Sequence, residues 1–312
     1  MDTTHGSSSP VHSNNRVIRF FQTLNRNKTP YLYIAPFFIS FALFGLYPLL
    51  FSIQLSFSNF KIGTVPVWIG LANYQRVLGD PLFWTSLKNV IILWLGTLPI
   101  QLVLGFGIAW LLNGIFAPIK GVFSGILYLP VVTNLVAVAL VFRLMFDDQY
   151  GIINVFLTFF GLPPAAWMTS STWAPWTTII LIIWKGLGWY VIYILAALQG
   201  VEKVYYEAAK IDGANSLQII WNVTIPSIRP VLLFLVTLGT ISGLQIFTEP
   251  FVLFSGSMGG PESSVLTPSM YIYTQGFKYL KFGNASAMAV ILGIIIIILS
   301  VVQFRFFSTR ED

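Results

Sequence analysis

Six stretches of this chain are each long and apolar enough to cross a hydrocarbon layer. They are Tyr31–Phe57, Asn89–Leu112, Val122–Phe146, Ala174–Leu198, Pro230–Phe254 and Ala285–Phe307. About 20 mostly apolar residues span roughly 30 Å of hydrocarbon as a helix. In that medium every backbone polar group must be satisfied internally, which leaves only helices and closed barrels. The stretches are too long for strands and none alternates apolar with polar along its length, so the sequence predicts six transmembrane helices in an all-α membrane protein. Pro30 and Pro230 stand at predicted helix starts, where a missing N–H costs little. Composition points the same way. Of 312 residues 56% are hydrophobic and 9% charged, with mean hydropathy +0.78, whereas a soluble domain carries about 25% charged residues. A soluble enzyme, a disordered chain and a nucleic-acid binder are all disfavoured.

Residues 1–30 form a polar tail that ends in Arg16, Arg19, Arg26 and Lys28. Its first dozen residues lack anything that could build a core. Val17, Ile18, Phe20, Phe21 and Leu24 interleave with the basic residues, a spacing that fits a short interfacial helix or a plain tether. The apolar run that follows is too long for a cleaved signal core and lacks a small-residue cleavage site, so it reads as a retained first span. With the N-terminus in the cytoplasm, ten basic residues fall inside: the four above with Lys120, Lys203, Lys210, Arg229, Arg305 and Arg310. Five fall outside, namely Lys61, Arg76, Lys88, Lys278 and Lys281. The excess predicts both termini in the cytoplasm. The expected layout is a tail over 1–30, a six-helix domain over 31–307 and a C-terminal end over 308–312. The chain has no Cys, and its two histidines, His5 and His12, lie in the tail. A thiol nucleophile, a disulfide and a histidine-based metal site are therefore excluded from the spans, and no metal site is expected.

The cytoplasmic loop over 199–229 is long, and long ordered loops in compact proteins are usually functional. Glu202 to Ile211 has helical propensity. Asp212-Gly213 should stop that helix, because Gly takes the left-handed conformation of a helix end. Asn215 followed by Gln218 reads as a capping box opening a second helix, and Pro226 should end it. Ala208, Ala209, Gly213 and Ala214 would let another backbone approach closely, with Glu207 as a lone charge and Tyr205 and Tyr206 as rigid aromatic area. Such a pair of helices could be a knob for a cytoplasmic partner or could simply pack beneath the bundle.

Glu207-Ala208-Ala209, then Gly213, then Val223-Thr224-Ile225-Pro226 resemble the EAA loop of ABC-importer permeases, with the family spacing and conservative departures at Val223 and Ile225. EAAKIDGA is similar to the carbohydrate-uptake branch, as are Gly70-Leu71-Ala72-Asn73-Tyr74, Asp80-Pro81, Tyr128-Leu129-Pro130, Tyr150 to Asn154, Gly259-Gly260-Pro261 and Phe282 to Ala287. The Gly-Gly-Pro loop and basic tail resemble the first of the two permeases of maltose, glycerol-phosphate or lactose type systems. The resemblance implies a type I ABC importer permease fold and a subunit of a binding-protein-dependent sugar or polyol importer. It implies that Tyr206, Glu207, Ala208, Ala209, Asp212, Gly213, Ala214 and Pro226 couple to an ATPase groove. It also implies partners: a second permease, two ATPase subunits or a dimeric ATPase, and an extracytoplasmic solute-binding protein. Membrane lipid surrounds the assembly, and nucleic acid has no part in it. The chain has no Gly-Lys pair, so it lacks the usual phosphate loop. ATP and Mg are expected on the partner, with no cofactor in this chain, which is not an enzyme.

Charged and aromatic residues inside the spans mark a candidate substrate path. Lys185 lies near the middle of span four and Glu249 in span five; intramembrane charges must face protein or a water-filled cavity. They fit a helix-packing ion pair or a polar lining. Trp184, Trp189, Tyr190 and Tyr193 suit either bundle packing or the apolar faces of sugars. The family's substrate contacts map onto Gly186 and Trp189, and on span five onto Gly243, Ile246, Phe247 and Pro250, to which chemistry adds Gln245 and Glu249. Pro250 is expected to interrupt span five, as in the broken helices of transporters. Arg143, with Asp147 and Asp148, reads as a local ion pair or a contact for a docked binding protein. Against the importer stand an ion-driven secondary transporter, for which Lys185 and Glu249 are few titratable groups, an ABC permease for another small solute, and an intramembrane enzyme, for which only Lys185 offers a base.

Overall fold

A computed structural model describes residues 28–61, 63–114, 119–254 and 257–308. The interfacial helix expected near Val17–Leu24, and Arg310, lie outside the described residues. The chain divides into two compact units between Gln54 and Leu55. In the first, α1 (Lys28–Phe41) leads through a π-helical turn over Ala42–Leu46 to α2 (Tyr47–Ser56), whose last two residues belong to the second unit. Phe37 stacks on Phe41 and Tyr47 on Phe51 at helical spacing, and residues 31–56 are apolar enough to cross a membrane.

The second unit is helical apart from a two-residue hairpin, β1 (Ser58–Asn59) paired antiparallel with β2 (Val67–Trp68). Short α3 (Ala72–Leu78) precedes span two, α4 (Pro81–Asn113). That span starts eight residues before the expected Asn89, because Asp80 accepts the Leu82 N–H at 3.0 Å and Pro81 supplies the first helical residue. Span four is α8 (Ala174–Gln199), in line with expectation, and span six is α15 (Phe282–Ser308). α4 and α8 share a core of Leu98, Ala109, Tyr190, Val191, Ile194 and Leu198. Gly105 makes their close approach possible, since a Cβ there would lie 2.9 Å from that of Tyr190.

Span three departs from the predicted continuous helix, and span five is interrupted, as Pro250 suggests. Span three is α5 (Lys120–Val132) and α6 (Leu135–Met145), which meet at 93° across Thr133-Asn134. Pro130 sits in the last turn of α5, and the Asn134 side chain caps α6 by accepting from Val136 and Ala137 N–H. Gly188 of α8 lies against the Leu127 carbonyl, where any Cβ would clash with the α5 backbone. Six residues after α6 comes α7 (Ile152–Phe159). Span five is α12 (Arg229–Leu244), an irregular stretch over Gln245–Phe247, and α13 (Thr248–Leu253). Pro250 does break the span, but one turn earlier than its own position. A proline at 250 has no N–H for the carbonyl four residues back, and the helix opens at that carbonyl, Ile246.

Candidate functional site: a cavity at two broken spans and an exposed loop

The loop after span four folds largely as its residues dictate. α9 (Lys203–Ile211) ends at Asp212, and Gly213 takes φ +76°. The Ala214 N–H reaches back to the Ala209 carbonyl at 2.9 Å and the Gly213 N–H to Lys210 at 3.1 Å, the bonding of a left-handed helix end. Asn215 and Gln218 form both halves of the capping box that opens α10 (Ser216–Ile219). Pro226 does not end this element. A π-helical turn over Ile220–Thr224 is followed by α11 (Ile225–Ser227), in whose first turn Pro226 needs no N–H. The chain bends by 71° only after Ser227.

No residue of α9 is buried. Glu207, Ala208, Asp212 and Gly213 are exposed, Ala209 and Ala214 half-buried, and Ile211 is 86% exposed. Tyr206 is half-buried, its hydroxyl enclosed without a partner. The expected coupling residues from Tyr206 to Ala214 thus form one continuous projecting surface, while Pro226 stands apart on α11.

Eight of the ten expected path residues line one cavity of about 500 Å³: Lys185, Gly186, Trp189, Gly243, Gln245, Ile246, Phe247 and Glu249. Tyr193 and Pro250 are not among its walls. Tyr193 packs on Trp189 and Phe234 at ring distances of 4.5 and 5.7 Å, and Pro250 is buried. Span two supplies a wall that was not anticipated, Thr97, Leu98 and Gln101, and Ser242 and Thr248 add hydroxyls. The polar residues Thr97 and Gln101 in an apolar span were the available signal. Gln101 donates to the Ile182 carbonyl at 2.9 Å, and Gly186 leaves room for that amide. Gly243 likewise makes room for Trp94, whose ring would lie 2.6 Å from a Cβ.

Of the two readings for Lys185 and Glu249, a polar lining is the one observed: both line the cavity and they form no ion pair with each other. The Lys185 ammonium donates to the carbonyls of Pro130, Val131 and Thr133 at 3.1, 3.3 and 3.1 Å. These carbonyls lie at and just past the broken end of α5, where Pro130 also accepts the Thr133 hydroxyl at 2.6 Å and the negative end of the helix dipole favours a cation. Glu249 stands in the first turn of α13 and faces the same cavity. The break in span five is capped by neutral groups. Thr267 donates its hydroxyl to the Ile246 carbonyl at 2.7 Å, and Ser269 donates to the Gln245 carbonyl at 3.2 Å.

At the other end of span three the two aspartates also hold the loop that follows. Asp147 accepts from the Gln149 and Tyr150 N–H groups at 3.0 and 2.8 Å. Those bonds, the Tyr150 one first, hold its carboxyl below the usual range, with Arg143 adding a smaller pull. Asp148 accepts from the Met168 N–H at 2.8 Å and from the Thr169 hydroxyl.

Residues 101–310 match the family described as binding-protein-dependent transport system inner membrane component. The chain belongs to that family. This inner membrane component is 35% identical over 284 residues to the lactose transport system permease protein LacF of Rhizobium radiobacter, covering 90% of this chain and 94% of that one. It is 32% identical over 282 residues to the arabinooligosaccharides transport system permease protein AraP of Bacillus subtilis (strain 168), covering 90% and 89%. In fold it is similar to a chain of a bacterial ABC transporter involved in import of the acidic polysaccharide alginate, with TM-score 0.77, 22% identity and coverage of 94% and 100%. The expected type I importer permease fold is the one observed. The family is one of transport components.

Proposed function

We propose that this chain is a permease subunit of an ATP-driven importer for a carbohydrate or sugar-derived polyol, with both termini in the cytoplasm. The cavity is its share of the translocation path, and the surface from Tyr206 to Ala214 engages a separate ATPase that binds ATP and Mg. A second permease completes the pathway, and an extracytoplasmic binding protein delivers the solute. The observation that carries this reading is the convergence of eight anticipated residues on one cavity, lined by the interrupted span five. Interrupted helices lining a midplane cavity are a transporter device, because irregular backbone is tolerated in a membrane only where protein or water satisfies it. Trp189 and Phe247 offer faces to sugar C–H groups, and Gln245 and Glu249 offer hydrogen bonds to hydroxyls. The lactose and arabinooligosaccharide systems of its relatives support the solute class.

Purification of the intact complex from native membranes, with uptake of lactose and an arabino-oligosaccharide measured in parallel, tests both halves. Glu207→Arg with Gly213→Trp should cost at least tenfold in recovered ATPase. Phe247→Ala with Gln245→Ala should leave the complex intact and raise the KM for uptake about tenfold. An ATPase indifferent to the first pair would remove the coupling role. Unchanged kinetics in the second would remove the path.

A further inference from the structure

A pocket of about 280 Å³ lies between β1, α3 and the first turn of α15. Its lining includes Lys61, Arg76 and Lys281 and no carboxylate. All three cations are exposed. A sphere of that volume is about 8 Å across, no wider than the screening length of physiological salt, so the three charges repel one another unless an anion joins them. The pocket is a built feature. Buried Asn73 donates to the Ser56 and Ser58 carbonyls at 3.0 and 2.9 Å, which pins β1, and accepts one Arg76 N–H at 3.3 Å. Gly283 lets the start of α15 touch the same strand, since a Cβ there would strike the Ser58 carbonyl.

Its position and its rim define the anion. The membrane-crossing stretch 31–56 ends just before β1, and the stretch 282–305 begins at α15, so the pocket sits where two spans leave the hydrocarbon. Beside the cations lies an apolar apron. Phe282 packs against Phe60 and Phe277 at 6.0 and 5.9 Å, and Phe277, Tyr279 and Leu280 are 67%, 48% and 44% exposed. Leu280 holds φ +57°, at a helix end where glycine would be unstrained. A costly backbone that presents an exposed leucine fits a hydrocarbon-facing role. A soluble anion or an acidic protein surface would use the cations but not the apron.

We propose that this pocket binds the phosphodiester of an anionic phospholipid, with the acyl chains lying against Phe277, Tyr279 and Leu280. Cationic pockets between spans are a recurrent mode of headgroup recognition. The test uses the intact detergent-purified transporter. Phosphatidylglycerol, phosphatidylcholine and inorganic phosphate are added separately, and bound lipid is counted by native mass spectrometry alongside thermal melting. We expect at least tenfold preference for phosphatidylglycerol over phosphatidylcholine and a raised Tm with phosphatidylglycerol alone. Both should be lost in Lys61→Gln/Arg76→Gln/Lys281→Gln and kept in Lys88→Gln. If the triple variant does not assemble, Lys61→Gln and Lys281→Gln singly should each weaken retention about threefold. Equal retention by these variants and wild type overturns the proposal. An equal Tm rise with inorganic phosphate overturns the lipid source in favour of a free-anion site. Unchanged lipid retention with lost stimulation by a binding protein overturns it in favour of a protein-docking surface.

Discussion

Spans three and five are both interrupted beside a proline, and the carbonyls each interruption frees are capped by different chemistry. In span three the cap is an ammonium from the middle of another span, Lys185, reaching three carbonyls. In span five it is a pair of hydroxyls, Thr267 and Ser269, from the segment that follows the span. The charged cap serves a helix C-terminus whose dipole attracts it. The neutral caps serve single carbonyls left by an irregular stretch, where a hydroxyl suffices and no charge has to be taken out of water. One break therefore leans on a charged side chain, helped at Pro130 by the Thr133 hydroxyl, whereas the other is shared between two hydroxyls.

That difference sets an order of consequences. Lys185→Met should be the most damaging change, because it removes the ammonium from three carbonyls around the end of α5 and leaves Pro130 only its bonds from Thr133. A loss of about 3 kcal/mol is expected from the strength of charged hydrogen bonds, measured by unfolding of the purified complex in denaturing detergent. A loss below about 1 kcal/mol would show that the carbonyls find other donors. Thr267→Val should cost about 1–2 kcal/mol and Ser269→Ala about 0.5 kcal/mol, because Thr267 is fully buried and bonds at 2.7 Å while the half-buried Ser269 makes an exposed bond at 3.2 Å. If the order of these two reverses, the irregular stretch is held from Gln245 rather than from Ile246.

The smallest effect concerns what holds the neutral caps in place. Thr267 and Ser269 flank the start of α14 (Pro268–Tyr273), and Tyr271 of that helix donates its hydroxyl to Asp80, at the start of span two, at 2.5 Å. Burial first, and then the Asp80 carboxylate, push the Tyr271 hydroxyl up to about 12. The unfolded chain releases this proton near pH 10. Between pH 10 and 12 the folded form binds the extra proton, so stability is intact below pH 10 and falls as pH rises through that window. Melting of wild type and Tyr271→Phe from pH 8 to 11.5 should show a shallower alkaline decline in the variant. Parallel curves would mean that Tyr271 does not anchor the cap-bearing helix.

Much of this architecture was legible in the residues. Apolar length marked four helices long and apolar enough to cross a membrane and the two regions that fold as bent pairs, Asp212-Gly213 and the Asn215–Gln218 box marked the ends of the exposed helices, and eight cavity residues were identifiable from span four and span five. What escaped was whatever depends on a partner distant in the chain. Pro250 signalled a break but not that Ile246, one turn earlier, would be freed and then capped from 21 residues away. Lys185 advertised a buried need without revealing that its acceptors lie more than 50 residues earlier in α5. Gln101 and Thr97 entered the cavity because α4 packs on α8, a juxtaposition that local propensity does not encode.

The division has a physical cause. Transfer from water to hydrocarbon and the closure of helix ends are governed by residues within a turn or two of one another, so sequence alone determined the all-α membrane class, the span regions and the form of the exposed loop. Capping a broken helix requires whichever donor lies nearest in space. A bundle brings together side chains from any span, so only the tertiary structure decided that a lysine mends span three, that hydroxyls mend span five, and that span two joins spans four and five around one cavity.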